Sequence, residues 1–400
     1  MKARLLAISI GFTLQLSAAD WLQFRGPNGT GVAAESEGLP TSLAEKNIAW
    51  KIALPGRGLS CPIIVGDRVF VTGSSGPQQE RLHVLCLNAA DGSVRWERQF
   101  WATGRTMCHP KTSVAASSPT SDGRRVYAIF SSNDIVCLDL DGNLVWLRGI
   151  TRDYPNVSNS LGMAASPMVV GGTLVAQVES DSESYAIGID AGTGVNRWRI
   201  ERPKSANWTS PVTLTSPSGP ILALQSSKGI QAIEPVSGRT LWTYTDGAAT
   251  IASSATADGI LYVPSHGMTA LQPSGGDGAP SQLWRSNQLS PGTGSPLVFG
   301  GRIYTVNAAG VLNCGDIKDG KRLWQLRLKG PFSASPIAAG KYIYCVSEEG
   351  LLQVVDTSAP EGSIVGQLEL GAGEVILGTP AISAGAIYVR SNGKLWKLKR

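Results

Sequence analysis

The sequence predicts an all-β fold, an eight-bladed β-propeller in which each blade is a four-stranded antiparallel sheet. Three observations predict it: short runs of β-forming residues divided by Gly and Asp turns, a repeat spacing of 40 to 57 residues, and a Trp that closes most copies. Residues 295–328 form the most regular copy, with Trp324 in the fourth run. The runs are too short for helices, and their Val, Ile, Tyr and Leu content favours strands.

The N-terminus is typical of an export signal. Lys2 and Arg4 precede the apolar stretch Leu5–Leu16, and small residues precede a cleavage site between Ala19 and Asp20. This stretch is too short to cross a bilayer comfortably, and no later stretch reaches the eighteen consecutive apolar residues that a membrane span needs. We therefore expect an exported protein, in the periplasm or outside the cell, without membrane insertion.

The charge balance argues against a polyanionic partner. The formal net charge is +5, and Lys2 and Arg4 supply two of these charges. The chain has no basic run before residues 394–400, so we expect no nucleic-acid partner. Charged residues make up 16% of the chain against a usual figure of about 25%, and there are 47 glycines, which fits a β protein rich in tight turns.

Residues 20–46 precede the repeats, and residues 47–400 are expected to form a single propeller domain. The extension contains the Gly-rich stretch WLQFRGPNGTG at 21–31. This stretch lacks the strand, helix and Lys of a phosphate-binding loop, so we expect a loop that closes one end of the fold.

The two ends of the repeat region complete one another. Asn47–Leu54 resembles the fourth strand of a blade, with Trp50 in the tryptophan position, but no first three strands precede it. Residues 379–399 supply three strands and then stop. We therefore expect the last blade to take its outermost strand from the N-terminus, which closes the ring and removes exposed sheet edges.

Counting the repeats gives eight blades. Each unit opens with a Ser-Pro pair or with a pair that keeps one of these two residues. The openings fall at 61, 118, 166, 210, 254, 295, 335 and 379. We expect the closing Trp residues to dock each blade on its neighbour; they are Trp50, Trp96, Trp146, Trp198, Trp242, Trp284 and Trp324. The remaining slot falls near Gly366, where Trp is absent, so we expect blade 7 to make the loosest contact.

The six cysteines form an even set, which permits disulfides but does not establish them. Cys86, Cys137 and Cys314 hold equivalent places in their repeats and are interpreted as small buried apolar residues, because equivalent positions in neighbouring blades lie too far apart to bond. Cys61 and Cys108 could approach each other near the channel.

The turns before the Trp residues carry a family resemblance. They read GIDAGTGVNRW at 188–198, AIEPVSGRTLW at 232–242 and CGDIKDGKRLW at 314–324. These segments resemble the tryptophan-docking repeat A-x-D-x-x-T-G-x-x-x-W of pyrroloquinoline quinone (PQQ) repeat propellers, and the resemblance covers residues 47–400. The segment at 21–31 is similar to that of exported bacterial members.

The resemblance implies one of two kinds of activity. The PQQ-like family includes calcium- and PQQ-dependent alcohol and sugar dehydrogenases, and non-enzymatic scaffolds such as the outer-membrane β-barrel assembly lipoprotein. The dehydrogenases of the family typically carry an adjacent Cys pair over the quinone, and this chain has neither that pair nor a C-x-x-C-H haem site. No lipobox Cys follows the signal either.

Long connections point to a candidate site. In a propeller the connections between blades and the turns between second and third strands share one face around the channel mouth, here called the loop face. Blades 1–4 spend many residues there, and such loops on a rigid scaffold are where binding residues tend to lie. The candidate ligand-binding residues of this sector are Arg105, His109, Lys111, Asn159, Glu179, Asp181 and Trp208.

No catalytic residue or metal ligand is assigned. His83, His109 and His266 show no metal-binding spacing. The sequence leaves a Ser-His-Asp arrangement open, although no G-x-S-x-G elbow supports one. The favoured hypothesis is a binding or scaffold module without a cofactor, with a protein or small-molecule ligand at the loop face of blades 1–4. The alternative is a divergent quinoprotein oxidoreductase, with Arg105 or Lys111 on the PQQ carboxylates and Glu179 or Asp181 near Ca²⁺. A hydrolase or lyase at the same face is a third hypothesis.

Overall fold

Eight sheets, each built on four antiparallel strands and one of them extended by a fifth, form the computed structural model, which describes residues 20–34, 37–158, 160–217, 219–274 and 278–400. The predicted eight-bladed propeller is thereby confirmed. The proposed export signal lies outside the described residues. Within them, no helix has the length and apolar character needed to cross a bilayer.

The strands are short, and four single-turn 3-10 helices occur among the described residues. The strands of blades 1–4 are β3 (Ile63–Val65), β4 (Arg68–Ser75), β5 (Arg81–Asn88), β6 (Val94–Trp101), β7 (Thr120–Ser121), β8 (Arg125–Ile129), β9 (Asp134–Asp139), β10 (Leu144–Gly149), β11 (Met168–Val170), β12 (Thr173–Val178), β13 (Tyr185–Asp190), β14 (Asn196–Glu201), β15 (Val212–Ser216), β16 (Gly219–Ser226), β17 (Gly229–Ile233) and β18 (Thr240–Tyr244). The strands of blades 5–8, with the two N-terminal strands, are β19 (Ala255–Ala257), β20 (Ile260–Val263), β21 (Met268–Gln272), β22 (Ser281–Ser286), β23 (Leu297–Phe299), β24 (Arg302–Val306), β25 (Val311–Asp316), β26 (Arg322–Arg327), β27 (Ile337–Ala339), β28 (Tyr342–Val346), β29 (Leu351–Asp356), β30 (Ser363–Glu369), β31 (Ala381–Ser383), β32 (Ala386–Arg390), β33 (Lys394–Lys399), β1 (Val32–Ala33) and β2 (Ile48–Ala53). The helices are Pro27–Gly29, Glu45–Asn47, Ile150–Arg152 and Asn287–Leu289.

The ring closes through the N-terminal strand, as predicted. β2 pairs antiparallel with β33, and Ile48 lies opposite Leu398 while Ala53 lies opposite Lys394. Blade 8 therefore takes three strands from the C-terminus and its outermost strand from the N-terminus. Hydrogen bonds rather than the covalent chain join these two strands, and β2 covers the edge that β33 would otherwise expose.

A tryptophan of one blade packs on a glycine turn of the next. The Trp198 ring lies against Gly238, so that a Cβ at 238 would fall 2.6 Å from it, and the indole N–H donates to the Pro235 carbonyl at 3.0 Å. Only glycine tolerates both this approach and the positive φ of 73° at that turn. The other contacts of this kind are Trp50 on Gly92, Trp96 on Gly142, Trp146 on Gly194, Trp284 on Gly320 and Trp324 on Gly362.

Blade 7 fills its vacant tryptophan slot with backbone. At Gly366, where the repeat places Trp, a Cβ would lie 2.1 Å from the Thr41 carbonyl oxygen. Leu39, only 2% exposed, joins the core of this region, and Leu43 packs against it. The N-terminal segment thus replaces the missing indole, and this gives no reason for blade 7 to be the loosest contact.

The first described residues enter the channel. Trp21 forms an isolated antiparallel bridge with Ile64 of blade 1, and β1 adds in parallel to β27, the innermost strand of blade 7. Arg25, 1% exposed, donates to the carbonyls of Ser254 and Pro296 in blades 5 and 6. We expected a loop across one end of the fold, and the segment instead inserts among the innermost strands.

Candidate functional site

A ring of hydroxyl groups surrounds the channel where each blade begins. The backbone N–H of one opening residue donates to the hydroxyl oxygen of the next, as in Ser118 to Ser166 at 3.0 Å and Ser166 to Ser210 at 2.9 Å. Seven such bonds join the openings in one direction, from Cys61 through Ser253 to Thr379. The repeated Ser-Pro pair therefore serves inter-blade contact, which the sequence alone could not reveal.

The ring also corrects one blade boundary. In blade 5 the hydroxyl belongs to Ser253, which accepts from the N–H of Ser210 at 3.0 Å. Ser254 instead takes the place of the proline, and its hydroxyl donates to Gln225 Oε1. The blade 5 opening is thus Ser253-Ser254, one residue earlier than the position 254 inferred from the sequence.

A cavity of about 420 Å³ lies above this ring on the loop face. Its inner end is closed by Phe24 of the channel segment, and its walls come from the connections that enter each blade. The large apolar side chains among its lining are Phe24, Leu59, Leu161, Trp208, Ile251 and Leu377. Because the backbone N–H groups of the ring are occupied by neighbouring hydroxyls, the cavity offers mainly apolar and hydroxyl surface to a ligand.

Three connections are joined into one continuous rim. The Trp208 indole N–H donates to the Gly162 carbonyl at 3.0 Å, and its backbone N–H donates to the Thr250 carbonyl at 2.8 Å. The His109 N–H donates to the Leu161 carbonyl at 3.2 Å. Leu161 and Ile251, which line the cavity, are 41% and 48% exposed, so the rim presents apolar side chains to solvent.

Lys111 and His109 are the basic side chains among the residues described as lining the cavity. Lys111 Nζ lies 3.2 Å from Glu348 Oε2, which ties the connection between blades 1 and 2 to the turn after β28 in blade 7. Glu348 also accepts a hydrogen bond from Ser333 at 2.6 Å. Because blades 8 and 1 lie between these two points, this connection crosses part of the channel mouth.

Glu179 occupies a different environment, a buried network between blades 3 and 4. Its Oε1 accepts from Arg202 Nε at 2.6 Å and from Gln177 at 2.9 Å. Burial raises the pKa of Glu179, while Arg202 opposes that shift. A second guanidinium bond from Arg202 reaches Gln231 at 2.6 Å. Arg202 thus joins blade 3 to blade 4, and the Glu179 carboxylate holds Arg202 in place and does not line the cavity.

The remaining candidates do not converge with the cavity. Arg105 is exposed, with its guanidinium 3.5 Å from the Ser158 hydroxyl. Asp181 is exposed and accepts the backbone N–H of Ala206 at 3.2 Å. Asn159 lies outside the described residues. The structure therefore places His109, Lys111 and Trp208 around the cavity and separates Arg105, Glu179 and Asp181 from it.

The cavity-lining residues that sequence reasoning missed are Phe24, Leu161 and Ile251. No repeat pattern marks Phe24, because it lies in the extension, and single apolar residues in connections carry no distinctive spacing. The six cysteines are all unpaired. Cys61 lines the cavity, and burial raises the pKa of its thiol to about 12, so it is a small buried group at neutral pH.

The donor set at the cavity does not suit Ca²⁺. None of the residues described as lining it is Asp or Glu, and calcium is bound chiefly by carboxylate and carbonyl oxygens. Among the residues that the structure describes, no three His, Cys, Asp or Glu side chains gather as a metal site. Lys111 lines the cavity and could pair with a carboxylate of PQQ, but it already forms an ion pair with Glu348.

Comparison with known proteins then identifies the family. The family described as outer membrane protein assembly factor BamB matches residues 28–244 and 265–399. The chain belongs to this family. The PQQ-repeat resemblance drawn from the docking motifs is thereby confirmed, and the match includes residues of all eight blades.

Curated relatives match a part of their length only. A polyvinylalcohol dehydrogenase from a Pseudomonas species is 32% identical over 143 residues, which is 35% of this chain and 20% of that protein. A second, from Sphingopyxis sp. strain 113P3, is 27% identical over 169 residues, 38% of this chain and 23% of that protein. The chain therefore aligns with about a fifth of the length of these relatives.

Solved structures share the fold. BamB from Moraxella catarrhalis superposes with a TM-score of 0.62 at 16% identity, over 88% of this chain and 97% of that one. A europium-containing methanol dehydrogenase gives 0.71 at 12% identity, over 96% and 98%. Quinohemoprotein alcohol dehydrogenase from Comamonas testosteroni gives 0.69 at 13%, over 95% and 80%. At these identities the likeness describes architecture alone.

Proposed function

We propose that the protein is an exported binding or scaffold module that holds a partner at the loop face, at the sector built by the connections of blades 1–4. The observation that carries this proposal is the pair of exposed apolar side chains, Leu161 and Ile251, that line the preformed, largely apolar cavity. Exposed apolar surface that is contiguous with a pocket is typical of binding sites, because an anchor side chain can be desolvated there.

The rim is also rigid enough to act as a binding surface. Backbone hydrogen bonds connect its three connections, so little conformational freedom is lost when a partner binds. The basic and acidic groups of Lys111 and Glu348 satisfy one another at the margin. The favoured partner therefore contributes an apolar side chain to the cavity and neutral polar groups to its rim.

Site-specific photocrosslinking in the producing cell tests this proposal. A benzoylphenylalanine at position 161 should capture a defined partner, whereas the same residue at 236 should not. Val236 is a matched control, because it is 45% exposed but lies in the turn between the third and fourth strands of blade 4, on the opposite face. Equal capture from both positions, or none from 161, contradicts the assignment of the loop face.

The second candidate is a divergent PQQ- and Ca²⁺-dependent oxidoreductase, favoured by the similarity to two polyvinylalcohol dehydrogenases. PQQ would lie in the cavity, with Lys111 or Arg105 on its carboxylates and Glu179 or Asp181 near the metal. Arg105, Glu179 and Asp181 lie away from the lining, and no carboxylate contributes to it. The residues do not fit the cofactor and its metal, so we derive no reaction step through them.

A titration distinguishes the two candidates. PQQ is added to the purified chain with and without CaCl₂, binding is followed by calorimetry, and dye reduction is followed with methanol, 2-butanol and polyvinyl alcohol. We expect neither saturable binding nor turnover. Saturable binding with turnover, both lost in Trp208→Ala but retained in Val236→Ala, would establish the oxidoreductase and refute the binding module.

A further inference from the structure

Three polar side chains lie in line on one face of blade 1. The Ser75 hydroxyl is 2.7 Å from His83 Nε2, and His83 Nδ1 is 2.6 Å from Glu97 Oε1. Each residue comes from a different strand, β4, β5 and β6, and together they connect a hydroxyl, an imidazole and a carboxylate. Their sequence spacing gives no hint of this, because the three meet only through the register of the sheet.

The register explains the alignment. Ser75 pairs with Arg81, Gly73 pairs with His83, and Leu85 pairs with Glu97. Ser75 and Glu97 are therefore both diagonal neighbours of His83 on the same face of the sheet. At that separation the side chains of both residues can reach the imidazole. Blade 1 can form this array because β4, β5 and β6 have eight residues each, while the corresponding strands of blade 6 have five or six.

The hydrogen bonds determine the roles of the two imidazole nitrogens. An ionised carboxylate can only accept, so His83 Nδ1–H donates to Glu97. In the neutral ring Nε2 is then an acceptor, and it faces the hydroxyl proton of Ser75. The side chain of His83 is 3% exposed, which holds the ring in place, and that of Glu97 is 30% exposed. A hydroxyl, a base and an orienting acid in this order are the parts of an activated serine nucleophile.

We propose that Ser75, His83 and Glu97 form a second, hydrolytic site, separate from the cavity, that cleaves esters through an acyl-serine intermediate. Ser75 Oγ attacks the carbonyl carbon and its proton passes to His83 Nε2. The imidazolium then protonates the departing alcohol, and the C–O bond to that alcohol breaks. Water, deprotonated by the same nitrogen, hydrolyses the acyl-serine, releasing the acid and restoring the serine hydroxyl. No other reactant is needed.

The surroundings of Ser75 define the substrate class. Ser75, Arg81 and Trp101 lie directly opposite one another across three strands, and Trp101 is 66% exposed. The Arg81 guanidinium lies 5.3 Å from the Trp101 ring centroid, which steadies the indole as a platform. An apolar or aromatic acyl group can pack there.

The backbone at Gly56 and the carboxylate of Glu80 lie close to Ser75 and Gly76 and limit what can approach the hydroxyl. Gly76 follows Ser75 with a φ of 93°, and a Cβ at Gly56 would lie 2.8 Å from the Ser75 Cβ. The carboxylate of Glu80 lies beside Gly76, where a Cβ would be 2.5 Å from it, and this negative charge disfavours an anionic substrate. The site is therefore assigned to neutral esters with an apolar or aromatic acyl group.

The test uses p-nitrophenyl butyrate and a fluorophosphonate probe on the purified full chain. We expect measurable ester turnover and a single covalent label, located at Ser75 by peptide mass spectrometry. Ser75→Ala should abolish the label and lower kcat/KM by at least about 100-fold, and Glu97→Gln should lower it by about 10-fold or more. Glu97→Gln keeps the shape of the partly exposed side chain, so it tests the role of the acid without requiring removal of the buried imidazole.

Ser74→Ala is the matched control. Ser74 is adjacent, but its hydroxyl bonds to the Arg57 carbonyl and to Gln79 Oε1 on the other side of the strand, so label and turnover should persist. Circular dichroism of each variant checks folding. The proposal is overturned if the wild-type chain takes no label at Ser75, if another residue takes it, or if Ser75→Ala turns over the ester as fast as wild type. These outcomes are independent of the crosslinking at position 161.

Discussion

The tryptophan contacts allow a quantitative prediction, because two of them differ in one hydrogen bond. Trp198 is 9% exposed and its indole N–H donates to the Pro235 carbonyl at 3.0 Å. Trp324 is 6% exposed and packs with the outer edge of its ring on Gly362, but its buried indole N–H has no partner in the described chain. The two rings therefore bury similar surface and differ in whether the N–H is satisfied.

Replacement by Phe should separate these contributions. Either Trp→Ala change removes a wedge between blades and should cost about 3–5 kcal/mol of unfolding free energy. Trp198→Phe keeps much of the packing but leaves the Pro235 carbonyl unpaired, which should add about 1 kcal/mol to the cost of losing part of the ring. Trp324→Phe loses a similar part of the ring but removes an unsatisfied donor. We therefore expect Trp198→Phe to be more destabilising than Trp324→Phe by about 1–2 kcal/mol.

Urea unfolding measures the difference. The midpoint and slope should be followed by both far-ultraviolet circular dichroism and fluorescence, and free energies should be compared only where the two transitions coincide. The Ala variants serve as controls that both sites are tightly packed. Equal costs for the two Phe variants, or a larger cost at Trp324, would refute the hydrogen-bond argument.

Three further predictions concern the motif turn, the filled slot and the channel mouth. Hydrogen bonds from Arg197 and then Thr193 hold the pKa of Asp190 at about 2, below the unfolded value of about 3.9, so their stabilisation is present above pH 4 and lost as pH falls through 2. The melting-temperature deficit of Asp190→Asn should accordingly shrink between pH 4 and pH 2, and a constant deficit would contradict this. Leu39→Ala should cost about 2–5 kcal/mol and raise hydrogen exchange in blade 7 more than in blade 3, whereas an equal rise would contradict the filling of the slot. Lys111→Gln should leave the urea midpoint nearly unchanged, because an exposed ion pair contributes little, but should speed proteolysis within residues 102–117; unchanged proteolysis would show that the Glu348 pair does not hold this connection.

The sequence was sufficient for the architecture because the fold repeats its own signature. The glycine four residues before Trp198, Trp242 and Trp324 marks the same turn each time, and its close contact with the preceding blade's Trp, at Gly238 for example, gives a physical reason for the spacing. The closure by β2 also followed from the sequence, because an unmatched fourth strand and an unmatched set of three can pair only with each other.

The N-terminal extension could not be placed by the same reasoning. It has no counterpart in the repeats, and neither the buried Arg25 nor the pairing of Val32–Ala33 with β27 leaves a periodic pattern. The expected weak contact in blade 7 was inferred from the missing Trp, but the backbone at Thr41 fills that space. An irregular segment packs where the surface of the folded propeller accepts it, and that surface cannot be derived from the segment's own sequence.

Only part of the candidate site could be predicted, because non-local contacts determine the rest. Loop length identified the connections that carry His109, Lys111 and Trp208 to the cavity. It could not reveal that Glu179 pairs with Arg202, because the two residues meet only when the strands of blade 3 have paired. In the same way, Ser75 and Glu97 meet His83 only after the register of three strands is fixed.

The N-terminal segment has a consequence for the order in which the chain can fold. Its residues pair with Ile64 at one blade, with β27 at another and with β33 near the C-terminus. A ribosome makes this segment first, yet its last partner, Leu398 opposite Ile48, is made almost at the end. Such distant pairing carries a large loop-closure entropy and slows folding. β2, the strand that completes the ring, therefore cannot pair with β33 until nearly all of this sequence has been made.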